Sequence, residues 1–553
     1  MKTPPTDRRW DRETTLVSQI TAAASLLAFL FYFRRGDLLL YGDAVAHINI
    51  ARRVIDSQTP GLLQLGTVWL PLPHLLMIPF LFSDAAWRTG IAGSIPSMCA
   101  YVFATVGVFR LLRRLFSVGP DPDWMARFAA WFGAIVFAAN PNLIYLQATA
   151  MTEPLYLAFS IWAVVHFSEF MQARSVPKTT LQAGSSLTKC GLCVAGACFT
   201  RYDGWLLGVA LVVAAAVMVV RSQATRQKLG RSLVTFLLLA AAAPALWLAY
   251  NAMIYRNPLE FANGPYSAQA IEERAEAVSP IHQPGSHNLR VAFSYFLRSA
   301  EDNMAESWLQ KVWLVLLAAG IIICLLQQGR RTLLLFLLPL LFYTLTISYG
   351  SVPIHLPEWW PFNYYNVRYG IEVLPAFAVF AALIFHFLLA WMVPRAGKAA
   401  IVIVIVAIVA TSYGWIWKSQ PISYREAWVN SRTRIAFETS LASTLLKLPQ
   451  DSTLLMYLGS HVGALQDADI PLRRVINEGN HRPWNKPSDP QGLWERALAD
   501  PGKYVDYVVA FQGDPVASHV NMQGLTSMVV IHTIGQPEAT IYWTHRPLSN
   551  QTR

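Results

Sequence analysis

The sequence predicts an all-α bundle of about eleven membrane spans with a small C-terminal α/β domain outside the cytoplasm. Three observations predict it. Of 553 residues, 54% are apolar and only 14% charged, whereas soluble domains carry about 25% charged residues. Apolar runs of the length that crosses a bilayer, about 20 residues, recur from residue 15 to residue 417. Beyond 417 the composition turns polar, and helical and strand patterns alternate.

The spans fall at 15–33, 88–109, 127–146, 153–171, 186–200, 204–220, 232–251, 309–327, 332–350, 370–392 and 399–417. The first is preceded by Lys2, Arg8, Arg9 and Arg12 and followed by Arg34 and Arg35. No small-residue cleavage site follows it, so it reads as an uncleaved span. Residues 186–220 would make one long helix but for Arg201-Tyr202-Asp203-Gly204. Two charges at mid-bilayer cost several kcal/mol, so the tetrad reads as a turn at the surface.

Orientation follows from the cations. Arg110, Arg113 and Arg114, then Arg221, Arg226, Lys228 and Arg231, then Arg330 and Arg331, then Arg395 and Lys398 sit between alternate spans. That is the bias of short cytoplasmic loops, and it accounts for the net charge of +11 without a nucleic-acid partner. The N-terminus is then cytoplasmic and the C-terminal region extracytoplasmic. Arg34, Arg35, Arg52 and Arg53 fall on the outer side against the bias, and the last two suit lipid headgroups.

The first external segment is long. Residues 43–57 read as a helix with Asp43 and His47 on one face. Residues 67–82, TVWLPLPHLLMIPFLF, are apolar but carry Pro71, Pro73 and Pro79, which suits a segment lying in the interface. Residues 1–417 form the membrane domain and 418–553 the outer domain. In the latter, 441–448 and 493–500 read as helices and 452–458, 473–477 and 504–511 as strands. Residues 528–534 and 539–545 read as a terminal hairpin. Cys190 and Cys193 form a C-x-x-C inside an apolar run, without a second ligand pair; packing between helices is the simpler reading.

Mid-span positions are nearly bare of charge. Asp43, Glu153, Arg201, Asp203, Arg368 and Glu372 gather at the outer rim instead. An ion-coupled carrier would hold ionisable groups near mid-bilayer. Rim acids and arginines suit group transfer on a sugar joined by phosphate to a membrane lipid. A carboxylate takes a proton from the acceptor, and guanidinium groups hold the departing phosphate.

Five stretches, in order, resemble the GT-C membrane glycosyltransferases that use polyprenyl-phosphate sugars. They resemble most the protein-mannosyltransferase, aminoarabinose-transferase and RgtA/B/C/D-like types. YGDAVAHINIARRV is similar to the acid-led helix of the first external loop, and WLPLPHLLMIPFLF to the interfacial segment after it. NPNLIYLQATAMTEPLYLAF is similar to an acid-headed fourth span, and TRYDGWLL with NVRYGIEVLPAFA to later rim motifs. The likeness covers about 37–392. It implies an inverting transfer from a polyprenyl- or dolichyl-phosphate monosaccharide to a protein, glycan or lipid acceptor on the outer face.

The likeness also implies roles. Asp43 is the catalytic carboxylate, and Glu153 a second active-site acid. Arg201 and Arg368 bind the donor phosphate, with His47, Tyr202, Asp203 and Glu372 in support. Each has a simpler alternative. Asp43 suits a helix cap, and Glu153 before Pro154 suits a first helical turn. Arg201 could pair with Asp203, and Arg368 with Glu372 one turn on. His47 could be a surface residue, and His74 structural. Some relatives carry two adjacent acids where this chain has Gly42-Asp43-Ala44, so no metal is assigned, and a divalent ion is neither required nor excluded. Residues 252–308, with Tyr266, His282 and His287, are long enough to form a lid. A lipid-linked-sugar flippase is the alternative function. It would call for an inverted repeat, and none is visible in the sequence.

Overall fold

The structure is a computed structural model that describes residues 12–117, 123–174, 180–221, 223–278, 282–350, 352–391, 395–459, 461–480 and 491–546. In chain order its principal helices are α1 (Arg12–Arg35), α2 (Gly42–Arg53), α3 (Leu72–Met77), α4 (Ile91–Phe116) and α5 (Asp123–Ala138). They continue as α6 (Glu153–Ala173), α7 (Thr180–Thr200), α8 (Asp203–Val220), α9 (Gln223–Tyr255) and α10 (Leu289–Met304). The last are α11 (Leu309–Leu326), α12 (Leu338–Tyr349), α13 (Leu374–Trp391), α14 (Arg395–Ser419) and α15 (Ile422–Leu445). The strands are β1 (Leu454–Met456), β2 (Val475–Ile476), β3 (Tyr507–Phe511), β4 (Thr526–Ile531) and β5 (Ala539–Trp543). The protein is a multi-pass membrane protein: among the described residues, nine helical stretches are long and apolar enough to cross a bilayer.

Two of the eleven expected runs fall short of that standard. α5 has only 16 residues, and α7 begins with the polar TLQAGSSLTK. Connectivity nevertheless runs each of them back along a neighbour. Arg201, just past α7, donates to Thr152 just ahead of α6, so α7 returns along α6. Arg113 of α4 and Arg127 of α5 both meet Glu13, while Tyr101 Oη donates to Ala138 O at the far end of α5. α4 and α5 are therefore antiparallel.

The chain divides into two compact units. The first comprises Met1–Arg35, Pro96–Leu246 and Ala268–Glu426. α6 and α13 are its central helices, buried along nearly their whole length, and their apolar character all round is what such a position requires. Cys190 and Cys198 pack in the core that α6–α9 share. The unit has two unlike ends. At one, Glu169 accepts Arg110 and Arg114, Arg330 lies over the Phe116 ring and Lys398 over Trp124, so several of the basic clusters collect there. At the other end stand the acids that head α6 and α8. Sixteen residues along α6 separate Glu153 from Glu169, about 24 Å.

The second unit comprises Gly36–Ile95, Trp247–Ser267 and Ala427–Arg553. Its sheet has the order β2-β1-β3-β5-β4. β2, β1 and β3 are parallel, and β5 and β4 add antiparallel as the expected hairpin. The helix expected at 441–448 is the end of α15, which starts at Ile422. Its charges lie all round its circumference, so no apolar stripe announces it.

α2 is not the surface helix that its sequence suggests. Ala44, Val45, His47, Ile48, Asn49, Ile50, Ala51 and Arg52 are all buried. Asn49 donates to Gln466 Oε1 and accepts from Trp87 Nε1. Arg52, expected at lipid headgroups, is instead buried against Asp56 and Asp84 at 2.9 and 2.6 Å, beneath the Trp87 ring. Asp56 in turn accepts the backbone N–H groups of Leu472 and Arg473. Arg53 faces Glu478 at 3.7 Å. The Arg52 guanidinium turns inward because the carboxylates of Asp56 and Asp84 and the Trp87 ring already stand within reach there, and charge-assisted hydrogen bonds are the strong ones.

His461 sits between the rings of Phe437 and Phe511, at 4.6 and 4.9 Å. Burial, with Arg434 adding repulsion, pulls it down to about 4. The unfolded chain, with histidine near 6.5, takes up the proton first as pH falls. Stability carried by the neutral ring is therefore complete above about pH 6.5 and is lost as pH drops towards 4. Thermal unfolding of the detergent-solubilised chain should show His461→Phe less sensitive than wild type between pH 7 and pH 4.5, by up to about 3 kcal/mol. Parallel pH profiles would refute this.

Candidate active site

Acids head the helices that meet in the first unit. Glu153 opens α6 with Pro154 behind it, Asp203 opens α8, and Glu372 lies in the 3-10 segment Val367–Val373 that leads into α13. Helix N-termini carry partial positive charge and unsatisfied N–H groups, so carboxylates are favoured there. Asp203 Oδ1 accepts the N–H of Gly204.

Two glycines permit the close approach. A Cβ on Gly204 would lie 2.5 Å from the carbonyl carbon of Ala197, so the α7–α8 turn can tighten only around glycine. A Cβ on Gly370 would lie 2.4 Å from backbone atoms of Ser299. That contact seats the 3-10 segment on α10, where Ser299 and Asn303 both donate to Val367 O. Part of the loop expected as a lid, 289–304, is thus scaffold.

Two arginines tie the acids together. Arg201 Nη1 lies 3.4 Å from Glu153 Oε1, and its Nε lies 3.3 Å from Asp203 and 3.1 Å from Glu372. It donates further to Thr152 and Tyr343. Arg368 Nε reaches the same Glu153 oxygen at 3.1 Å, and its Nη1 reaches Glu426 at 2.9 Å. Its backbone N–H also donates to Glu426. Tyr343 Oη donates to Glu372 at 2.7 Å. Both guanidinium carbons lie 4.8 Å from the centre of the Tyr369 ring, and Phe296, Tyr343 and Tyr369 form a stack. Glu153 Oε2 and Glu372 Oε2 are buried with no hydrogen-bond partner among the described residues.

The structure therefore brings together Glu153, Arg201, Asp203, Arg368 and Glu372. Tyr202 lies between two of them in sequence, its ring against Trp205. The simple Arg201–Asp203 pair is present, but as one contact among several. Four carboxylates face two guanidinium groups, so these side chains carry no surplus positive charge. Arg201 keeps 15% of its side chain exposed and Arg368 only 5%. Sequence reasoning missed Tyr343, Tyr369, Thr152 and Glu426. Tyr343 stands within an apolar span, and Glu426 in a stretch that reads as soluble.

Asp43 and His47 belong to the second unit. Asp43 lies in the first turn of α2 rather than at its cap, which is Tyr41. His47, one turn on, is buried, and its Nδ1 lies 2.9 Å from Nε2 of His74 on α3. The Trp69 ring covers His47 at 4.7 Å. Burial, then His47 and Arg53, hold His74 well below the usual histidine range. Among the described residues, no group of three or more His, Cys, Asp or Glu side chains is placed to hold a metal ion.

No protein-family model and no curated protein matches the chain. Solved structures do. ArnT from Cupriavidus metallidurans bound to undecaprenyl phosphate superposes with a TM-score of 0.55 at 14% identity, over 95% of this chain and 97% of that one. The same protein in the apo state gives 0.53 at 14% identity, over 96% and 98%. The archaeal oligosaccharyltransferase AglB from Archaeoglobus fulgidus gives 0.46 at 11% identity, over 90% and 69%. The fold is the GT-C membrane fold, as the sequence predicts.

Arg368→Met leaves Glu153 and Glu426 without this cation and should destabilise the chain by about 3–5 kcal/mol, with part of the loss recovered in Arg368→Met/Glu426→Gln. Gly204→Ala should cost about 1–3 kcal/mol by overpacking the α7–α8 turn. Denaturant unfolding in detergent measures both; wild-type midpoints would show that neither contact holds the helix heads.

Proposed function

We propose that the chain is a membrane glycosyltransferase that moves a monosaccharide from a polyprenyl- or dolichyl-phosphate donor to an acceptor on the outer face, with inversion. The observation that carries this reading is the fold likeness, over nearly the full length of both chains, to a protein whose structure holds undecaprenyl phosphate. The rim acids and arginines read from the sequence support it, as does the separation of acidic and basic ends in the first unit.

In this reading Asp43 takes the proton from the acceptor hydroxyl or amine as that atom attacks the anomeric carbon. The bond to the phosphate breaks on the opposite face of the sugar, and the lipid phosphate departs. Arg201 and Arg368 are the proposed phosphate ligands. Arg201 has the open edge, so the phosphate shares it with Glu153, Asp203 and Glu372, while Arg368 acts mainly by holding Glu153. Glu153 is the proposed second acid. His47, Tyr202, Asp203 and Glu372 support these groups. We place the N-terminus in the cytoplasm and residues 418–553 outside, with 1–417 as the membrane domain. The acceptor is a protein, glycan or lipid hydroxyl or amine.

The test uses purified protein with undecaprenyl phosphate carrying a radiolabelled monosaccharide, across a panel of sugars and acceptors. Wild type should break the sugar–phosphate bond. Asp43→Asn should lose at least about 100-fold in rate with an unchanged melting temperature. Arg201→Lys should raise the donor KM roughly tenfold, because lysine cannot offer the planar fork. Label that crosses a vesicle with its phosphate bond intact would instead identify a flippase.

A further inference from the structure

The contact between His47 and His74 is unlike the rest of the second unit, because two imidazoles 2.9 Å apart can hold only one proton between them. One ring must donate and the other accept. Nδ1 of His74 is buried with no hydrogen-bond partner among the described residues, and the residue is fully enclosed. If His47 donated, neutral His74 would carry its own proton on that orphaned nitrogen. A buried N–H without an acceptor is among the rarest defects in folded proteins. The opposite arrangement avoids it: His74 carries its proton on Nε2 and donates to Nδ1 of His47. His47 then keeps its proton on Nε2. Two further features hold this state. Trp69 covers the His47 ring, and Arg53, whose Nε is also buried without a hydrogen-bond partner among the described residues, disfavours an extra proton on His74.

The geometry points to His74 as a positioning residue that locks His47 as a neutral imidazole protonated at Nε2, presenting one uncharged hydrogen-bond donor on the face of α2 that carries Asp43. One helical turn separates Asp43 from His47, so their Cβ atoms lie about 5–6 Å apart. A neutral donor there orients a carboxylate without drawing its negative charge into an ion pair, and so leaves it basic enough to take a proton. The groups that bear on the dyad are Asp43 and Arg53 on α2, Trp69 ahead of α3, and His74 on α3. The catalytic consequence rests on the reading of Asp43 as the base; the tautomer itself does not.

The experiment has two arms. The first records nitrogen NMR spectra of the full chain in nanodiscs with isotope-labelled histidine, His47→Asn identifying the His47 signals. At pH 7, His47 should show a protonated Nε2 and a bare Nδ1. His74→Gln, whose amide nitrogen stands where the imidazole Nε2 stood, should keep that signature. His74→Met, similar in size but without a donor, should convert it to a mixture of tautomers. The second arm measures turnover of the radiolabelled undecaprenyl-phosphate sugar. His74→Met should lose roughly tenfold in kcat with an unchanged donor KM, and His74→Gln should recover most of it. A protonated Nδ1 or an imidazolium at His47 in wild type, or a signature indifferent to His74→Met, overturns the inference. Because the spectra need no turnover, they decide it even if Asp43→Asn proves fully active, an outcome that removes the proposed function and not the tautomer.

Discussion

Charge buried among helix heads is the constraint from which the first unit follows. Glu153, Asp203, Glu372 and Glu426 lie almost wholly out of water, and each alone would cost several kcal/mol there. They are tolerated because Arg201 and Arg368 reach all four and because helix N-termini add N–H groups and positive potential. The consequence is geometric. α6, α8 and the lead into α13 begin at one level, and α7, which runs into Arg201, ends there. Chain direction through the bundle is thereby set from one cluster. Glycines at 204 and 370 are the concession that lets the backbones come close enough.

The second unit uses the same device differently. α2 is short and its sequence is only mildly amphipathic, yet it is buried on most sides. Polar groups make that burial tolerable: Asn49 with Gln466 and Trp87, Arg52 with Asp56 and Asp84, and Asp56 with the backbone of Leu472 and Arg473. Each is a satisfied hydrogen bond, so its desolvation is offset. The result is a rigid seat for Asp43 and His47, built from the segment that follows α1 and from the C-terminal region. Rigid support of this kind is what the base proposed above would need to meet a reacting hydroxyl.

The two arginines of the first cluster illustrate how residue type underdetermines role. A guanidinium at a membrane rim suits a phosphate and a carboxylate equally well. Here carboxylates occupy most of both forks, and the ring of Tyr369 lies against both. Any anion that reaches Arg201 therefore competes with three acids, and its affinity depends on how readily those acids release the fork. In the proposed function, selectivity for a lipid-bound phosphate over a free one would then come from the bilayer, which raises the local concentration of the former.

What the sequence determined by itself is what hydropathy and local pattern encode. The spans, the turn at Arg201-Tyr202-Asp203-Gly204, the acid-headed helices, and the strands and hairpin of the C-terminal region were all legible. Burying apolar surface and placing charge at helix ends are properties of short windows; the GT-C fold was legible only through the resemblance of the motif stretches to that family. Partnership was not legible. Arg368 meets Glu153 across 215 positions and Glu426 across 58; Arg52 turns away from lipid; His47 lies against His74 rather than at the surface. Only the end of α15, at 441–448, was legible, because its charges lie all round its circumference. Such pairings depend on which side chains remain unsatisfied once the backbone has closed around them, and only the tertiary structure decides that.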